Sequence, residues 1–302
     1  MTSVTVGEHE IEISNREKVL FPADGITKGD LVEYYRKVAG WMIPHLEGRP
    51  LVMERFPDGI DRPGFFQKAA SGYFPGWIER AELAKRGGTV THVVCNDAAT
   101  LVYLANQAMV TPHTWLSRVG RPTHPDQLIF DLDPGDDATV VPRAAAAVRG
   151  ILDELGLTGF AKTSGSRGIH VHVPIDGAVP FEEAAAFALD VARVLEHRHP
   201  EELSTAFRKA ERHGRLFVDT LRNAYAQHAV APYGVRAKPG APVAVPLDWD
   251  EATSPRFDPQ RVTVGNAFRR LSQKQDPWEG MMETARALTG PRTRLDELLA
   301  DV

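Results

Sequence analysis

The segment QLIFDLDP at residues 127–134 combines an apolar strand pattern with two carboxylates. Successive side chains of a strand point to opposite faces, so Leu128, Phe130 and Leu132 are expected on one face. Asp131 and Asp133 then lie together on the other face. The sequence therefore predicts a buried strand that presents two carboxylates, although Asp-Pro-Gly is also a strong turn signal and a purely structural Asp133 stays open.

Two further apolar segments carry polar residues in a similar way. In GIHVHVPI, at residues 168–175, His170 and His172 alternate with apolar residues, and we expect a structural role for His172. In RLFVDT, at residues 215–220, Asp219 follows an apolar run. If the three segments pair in one sheet, Asp131, Asp133 and Asp219 converge. Carboxylates are the ligands that Mg²⁺ and Mn²⁺ prefer, so the pattern predicts a divalent-cation site.

The segment KTSGSRG at residues 162–168 leads into the histidine-bearing strand. Gly165 and Gly168 permit a tight turn whose amides can face an anion. Ser164 and Ser166 offer hydroxyls, and Lys162 and Arg167 supply positive charge. An ordinary surface turn has the same composition, but the position between two acidic strands favours a triphosphate site.

The composition is that of a globular protein, with 302 residues, 43% hydrophobic and 25% charged. The one cysteine, Cys95, excludes intrachain disulfides and cysteine-based zinc sites. The sequence has neither a long apolar run nor a signal peptide, so we expect a cytoplasmic protein without a membrane partner. The net charge of -5 argues against a generally basic nucleic-acid-binding surface, so any polyanion site has to be a local patch.

Helical spacing is clear in several segments. Thr27 and Asp30 predict the start of a helix that runs to about His45, and Asp97 predicts the start of a second helix. Without a repeat or a long linker, the chain is expected to form a single composite domain over residues 1–302. The remaining expectations are a strand over residues 4–13, a loop over 15–30, strands joined by turns over 46–68, helices over 142–155 and 180–198, and a loop-rich tail with helical segments after about residue 250.

Eight ordered segments resemble one family. They are NREKVLFP with TKGD, GRPLVMERFPDG, GFFQK, TPHTWLSR, IFDLDPG, TSGSRGIHVHVP, RLFVD and APYGVRA. Together they resemble the polymerase domain of bacterial ligase D, a non-homologous end-joining polymerase of the archaeo-eukaryotic primase superfamily. The resemblance implies an α+β primase-polymerase fold, in which helices flank a central antiparallel sheet that carries the acidic site. It also implies a DNA- and 5′-phosphate-binding part over about 1–125, the catalytic sheet over about 126–250 and a helical tail over about 251–302.

By position, the resemblance implies that two Mn²⁺ or Mg²⁺ ions serve nucleotidyl transfer on Asp131, Asp133 and Asp219. Arg167 stands where well-known members carry lysine, and a planar guanidinium does not bind phosphate as a point charge does. From the residues alone, two alternatives stay open: His113 as a structural histidine and Arg236 as a plain loop arginine. The residues implied in contacting the nucleotide and its triphosphate are His113, Ser164, Arg167, His170 and Arg236.

The resemblance also implies two groups of DNA-binding residues. Asn15, Lys18 and Lys28 match a pocket for a downstream 5′-phosphate, which carries more charge than an internal phosphate. Taken singly, either lysine is better interpreted as a solvated surface residue, whereas the two together in a loop with Pro and Gly favour a functional role.

The second group is aromatic. Phe65 and Phe66 match rings that stack on template bases, and Arg55 and Lys68 lie beside them. Because adjacent strand residues face opposite sides, core packing stays open for one of the two phenylalanines.

The function implied is that of a DNA-dependent nucleotidyltransferase that fills gaps or extends ends in double-strand-break repair and prefers ribonucleotides. Its implied partners are gapped or broken DNA with a 5′-phosphate, NTP or dNTP, a Ku-like protein and a DNA ligase, all at the nucleoid. No Lys-x-Asp-Gly ligase nucleophile occurs. Three alternatives stay open: a stand-alone gap-filling primase-polymerase of excision repair, a non-catalytic DNA-end-binding module, and a haloacid-dehalogenase phosphatase with Asp131 as nucleophile.

Overall fold

The elements that the periodicities predict recur in the structure, a computed structural model in which residues 2–302 are described. Over these residues the strands are β1 (Thr2–Val6), β2 (His9–Ile13), β3 (Val19–Phe21), β4 (Ile26–Thr27), β5 (Pro50–Arg55), β6 (Phe65–Gln67), β7 (Arg80–Lys85), β8 (Gly88–Val94), β9 (Met109–Trp115), β10 (Gln127–Asp133), β11 (Phe160–Thr163), β12 (Ile169–Pro174), β13 (Leu203–Ser204), β14 (Leu216–Asp219), β15 (His228–Val230) and β16 (Pro246–Leu247). The α-helices are α1 (Lys28–Leu46), α2 (Ala98–Asn106), α3 (Val140–Leu155), α4 (Phe181–Arg198), α5 (Trp249–Ala252), α6 (Ala267–Leu271) and α7 (Thr289–Leu299). Short 3₁₀ helices cover Lys209–Glu211, Leu221–Asn223 and Met281–Thr284.

The chain forms two compact units, each assembled from separate segments. Unit 1 contains residues 2–120, 228–244 and 260–274, and unit 2 contains residues 121–227, 245–259 and 275–302. The first passage between them, at Gly120 and Arg121, lies close to the start expected for the catalytic sheet. The single composite domain and its three parts stay a prediction.

Unit 1 is built on a sheet in the order β15-β9-β5-β8-β7, with β6 added on β5, and every pairing in it is antiparallel. Helices α1 and α2 pack together. Thr27 caps α1 in a capping box with Asp30, as the sequence predicts. The buried rings of Tyr34 and Tyr35 place their hydroxyls on the carbonyls of Tyr233 and Val110, so these polar groups are satisfied inside the core.

Unit 2 is built on a sheet in the order β13-β14-β10-β12-β11-β16, in which the β13–β14 pair is parallel and the other pairs are antiparallel. The apolar residues of β10 and β12 are fully buried, since helices α3 and α4 pack against this sheet. The mixed α/β architecture with antiparallel sheets confirms the fold class predicted from the sequence.

Some local predictions were wrong. Residues 4–13 form not one strand but a hairpin of β1 and β2, which turns at Gly7 with φ of 59°. The predicted loop over 15–30 contains the small hairpin of β3 and β4, whose Leu20 and Phe21 are fully buried. In the tail, the segment around Met281 is only a 3₁₀ turn. Within the described chain no helix is both long and apolar enough to cross a membrane.

Candidate active site

A row of polar residues crosses four strands of the unit 2 sheet. Asp131 of β10 lies directly opposite Asp219 of β14 on one side and His170 of β12 on the other, and His170 in turn lies opposite Lys162 of β11. Directly opposed residues of neighbouring antiparallel strands share a face. The register therefore brings Asp131, Asp219, His170 and Lys162 into one row.

The carboxylates of the row have defined partners. The Nε2 atom of His170 lies 3.4 Å from Oδ1 of Asp131, and both side chains are mostly buried. Oδ1 of Asp219 accepts a hydrogen bond from the backbone N–H of Leu221 at 2.8 Å, which fixes the turn after β14. Asp133 follows Asp131 on the same face of β10.

Asp131 is buried beside other carboxylates, which disfavours its ionised form. Burial and the neighbouring Asp219 raise the pKa of the Asp131 carboxyl from 3.8 to about 7, with Asp133 adding to the rise. The positive charges of Arg222 and Lys162 act in the opposite direction, without cancelling the effect. Lys162 is fully buried, which is unusual for a lysine. This part of the sheet therefore favours a cation over an additional anion.

Asp133 forms an ion pair with Arg167 of the loop at residues 164–168. Nη2 of Arg167 lies 2.8 Å from Oδ1 of Asp133, and both side chains are exposed, at 56% and 41%. An ion pair this exposed contributes no more than about 1 kcal/mol. Arg167 is thus held at the acidic site by an interaction that a stronger anion displaces at little cost.

The three carboxylates fit hard divalent cations by the chemistry of their oxygens. Among residues 2–302, no group of three or more Asp, Glu, His or Cys side chains is arranged as a ready metal site. The Asp133 carboxylate accepts a hydrogen bond from Arg167. Convergence of all three aspartates on two ions stays a prediction.

The loop at residues 164–168 is closed by its own serine. Oγ of Ser164 accepts hydrogen bonds from the N–H groups of Ser166 and Gly168 at 3.2 and 3.1 Å. These two amides therefore point into the loop, whereas the sequence favoured amides that face an anion. Any Cβ on Gly168 would lie 1.9 Å from the carbonyl oxygen of Leu132, so only glycine permits this approach of the loop to β10.

Sequence reasoning missed a residue that organises the site. The buried Asn223 accepts a hydrogen bond from the N–H of Ile129 and donates to the carbonyls of Ile129 and Thr220, all at 2.8 Å. Its side chain thereby acts as a strand partner for β10 just beyond the end of β14. No sequence motif signals this, because the partner lies 94 residues away.

His172 has a structural environment. Its Nδ1 lies 2.7 Å from Oε1 of Gln127, and its ring centre lies 4.8 Å from that of Trp278. Both contacts are buried, in keeping with the role expected for it.

In unit 1, His113 and Arg236 surround a carboxylate that sequence reasoning overlooked. Nε2 of His113 lies 3.4 Å from Oε2 of Glu54. Burial alone would raise the pKa of Glu54, but His113 and the charge of Arg236 lower it below its usual range. The rings of Phe66 and His228 lie 5.4 and 5.0 Å from the His113 ring. The structure thus brings His113, Arg236 and Phe66 together around Glu54.

Phe65 and Phe66 are both exposed, at 47% and 52%, so neither is a core residue. They lie opposite Arg55 and Glu54 of β5, respectively, which places them on different faces. Phe66 faces His113, while Phe65 lies under the Arg55 guanidinium, 5.5 Å from the ring centre. Lys68 is exposed just after β6.

The predicted 5′-phosphate residues are neighbours at the start of α1. The N–H of Lys18 donates to the carbonyl of Asn15 at 3.0 Å, and the N–H of Lys28 donates to the carbonyl of Lys18 at 2.8 Å. Nζ of Lys18 pairs with Asp58 at 2.7 Å. Nζ of the buried Lys28 donates to Oγ of Ser14 at 3.0 Å, and burial, followed by the charge of Lys18, lowers its pKa. Two cations and a helix N-terminus therefore meet in one place.

Comparison with solved structures gives the class of protein. The polymerase domain from Mycobacterium tuberculosis ligase D, in complex with DNA, matches with a TM-score of 0.86 and 34% sequence identity. The match covers 91% of this chain and 99% of that one. The fold is therefore that of a polymerase domain of ligase D.

Sequence comparison gives the family. A model described as LigD, primase-polymerase domain, matches residues 27–278. The multifunctional non-homologous end joining protein LigD of Mycobacterium bovis is 36% identical over 282 residues, which cover 90% of this chain and 37% of the relative. The bifunctional LigD of Bacillus subtilis is 28% identical over 272 residues, and 44% of its length is covered. The chain belongs to the LigD primase-polymerase domain family, and it spans less than half the length of these relatives.

Proposed function

We propose that this chain is a DNA-dependent nucleotidyltransferase of the primase type, which fills gaps or extends ends during double-strand-break repair by end joining. The observation that carries the proposal is the register that sets Asp131 directly opposite Asp219, with Asp133 on the same face of β10. Membership of the LigD primase-polymerase family supports the reaction class. The DNA complex of the similar mycobacterial domain supports the nucleic-acid substrate.

The acidic row supports metal-dependent chemistry. Mn²⁺ or Mg²⁺ ions held by Asp131, Asp133 and Asp219 would supply activation of the primer 3′-hydroxyl and stabilisation of the leaving pyrophosphate. His170 orients Asp131 through the 3.4 Å contact between them. Lys162 limits the electrostatic cost of burying Asp131 beside Asp219, because its charge acts to lower the Asp131 pKa.

Arg167 is proposed to move between two anions. Its guanidinium donates a hydrogen bond to Asp133 at 2.8 Å. A triphosphate carries several charges and accepts bidentate hydrogen bonds from arginine, so it competes well for this group. When the Arg167 side chain moves to the triphosphate, the Asp133 carboxylate loses this ion pair and faces the neighbouring Asp131 and Asp219. From the family resemblance we also propose nucleotide contacts for Ser164, His170, His113 and Arg236.

DNA is proposed to be bound at two places in unit 1. Asn15, Lys18 and Lys28 bind the downstream 5′-phosphate at the N-terminus of α1, where the helix dipole adds to the two cations. Phe66 and Phe65 stack on template bases, and Arg55 and Lys68 bind phosphates nearby. From the family resemblance we also propose a preference for ribonucleotides, cooperation with a Ku-like protein and a ligase, and action at the nucleoid.

The test is primer extension across a short gap with a 5′-phosphate, with ribonucleotides compared to deoxyribonucleotides and Mn²⁺ to Mg²⁺. Asp131→Ala and Asp133→Ala are each expected to reduce nucleotide addition to background. Asp153→Ala is the matched control, because Asp153 is an exposed carboxylate on α3 with only a 3.9 Å pair to Arg149. Full activity of Asp131→Ala would refute the assignment. A wild-type chain that binds the gap without extending it would be a non-catalytic end-binding module instead.

A further inference from the structure

A group of neighbouring side chains lies on the Phe65 face of unit 1. Nε of Arg55 donates to the carbonyl oxygen of Gln107 at 2.7 Å. The Tyr73 hydroxyl lies 3.5 Å from Oε1 of the same Gln107. Since Arg55 also covers the Phe65 ring, the residues Phe65, Arg55, Gln107 and Tyr73 are contiguous. We refer to these four residues as the Tyr73 patch.

Tyr73 is the most exposed aromatic residue of this patch, at 64%. Its loop is nevertheless braced, because Nε2 of Gln67 donates to the carbonyl of Ala69 at 2.8 Å and to Oγ of Ser71 at 2.9 Å. The Tyr73 ring also packs edge-on against the buried Phe74, with ring centres 5.1 Å apart. An exposed aromatic ring whose position is fixed by its neighbours loses little conformational entropy when a partner stacks on it.

The charge around the patch matches a nucleic-acid strand. Arg55 and Arg80 are close enough to the adjacent Tyr103 to lower its pKa, against the larger raising effects of burial and Tyr73. Aromatic rings beside guanidinium groups bind single strands of any sequence, because each base stacks and each phosphate is neutralised. Phe66, in contrast, belongs to the opposite face with His113. Phe65 and Phe66 therefore cannot stack on the same base.

We propose that the Tyr73 patch binds the single-stranded template beyond the templating base, with one base stacked on Phe65 and the next on Tyr73. The proposal deepens the proposed function and rests on it. It adds Tyr73 to the DNA-binding residues, and it gives the two phenylalanines separate roles on the two faces of β6.

The test is the binding of primer-templates whose 5′ template overhang has one, four or eight nucleotides, measured by fluorescence anisotropy. Wild-type affinity is expected to increase with overhang length. Tyr73→Ala should lose about fivefold or more on the long overhangs, because loss of one stacked base costs at least this much. The one-nucleotide overhang should bind Tyr73→Ala as well as wild type. Tyr73→Phe keeps the ring and should restore the full length dependence.

Two controls separate stacking from other causes. Trp41→Ala removes an exposed aromatic residue of α1 in the same unit and should leave binding unchanged. 2-Aminopurine in the long overhang should be quenched by wild type and Tyr73→Phe, but less by Tyr73→Ala. Equal overhang dependence in Tyr73→Ala and wild type would overturn the proposal, as would a Tyr73→Phe variant as weak as Tyr73→Ala. Failure of the wild type to extend a primer would instead overturn the proposed function.

Discussion

At the scale of the residue, the ionised form of Asp131 carries an electrostatic cost. Its carboxyl has a pKa of about 7 in the folded chain and 3.8 ordinarily, so the folded state holds the proton more tightly than the unfolded state does. Stability must then fall as pH rises from about 4 to about 7. Asp131→Asn removes the charge at constant shape, so in EDTA it should raise the free energy of unfolding at pH 8 by about 2 to 4 kcal/mol, and by less at pH 5. Thermal melts at the two pH values measure this.

The same substitution abolishes nucleotide addition if Asp131 binds a catalytic cation. A rise in stability together with a loss of activity marks a residue retained for function at the expense of the fold. A stabilisation equal at pH 5 and pH 8 would contradict the electrostatic explanation.

At the scale of the element, the Asn223 side chain makes hydrogen bonds to β10 that a neighbouring strand would make, at the point where β14 has ended. Its three buried hydrogen bonds join the 3₁₀ turn Leu221–Asn223 to β10, and this turn also binds Asp219. Asn223→Ala leaves the Ile129 amide and carbonyl without these bonds, so it should cost about 2 to 4 kcal/mol in urea denaturation and lower the activity in parallel. Leu221→Ala in the same turn is the control and should change stability little, because its side chain is 52% exposed. Equal effects of the two variants would show that the hydrogen bonds of Asn223 are not what holds the turn.

At the scale of the whole molecule, a net charge of -5 has to be reconciled with binding of DNA. The cations of the proposed 5′-phosphate pocket lie in one place, so few DNA phosphates are neutralised. The logarithm of the binding constant should therefore fall only slowly with the logarithm of the salt concentration, by about 0.7 to 0.9 for each neutralised phosphate. Lys18→Ala combined with Lys28→Met keeps the volume of the buried side chain and removes both charges. Gel-shift titrations should show that this variant loses its preference for 5′-phosphorylated over 5′-hydroxyl gaps, while it still extends a simple primer-template.

Lys37→Ala is the control for that variant, because Lys37 is an exposed lysine of α1 that pairs with Glu33. It should keep the preference for the phosphorylated gap. A double variant that still prefers phosphorylated gaps several-fold would place the 5′-phosphate pocket elsewhere.

Much of the fold, and part of the site, could be predicted because the information is local. Alternation along 127–133 predicts β10 and the shared face of Asp131 and Asp133, and the Thr27–Asp30 pair predicts the start of α1. Glu54 and Asn223 could not be assigned in this way, and neither could the position of Lys162 opposite His170. Each acts through a partner on another strand, and register between strands depends on tertiary pairing that no short segment encodes. Short elements such as β4 and β16 depend on tertiary pairing for the same reason.

The contact between Gly168 and the Leu132 carbonyl also restricts how this protein can evolve. A methyl group at residue 168 would lie 1.9 Å from a backbone oxygen, which no rotamer change relieves. The spacing between the loop and the carboxylate strand is therefore set by main-chain atoms. A larger residue at position 168 would push the loop away from the carboxylate strand, and with it Arg167 away from Asp133.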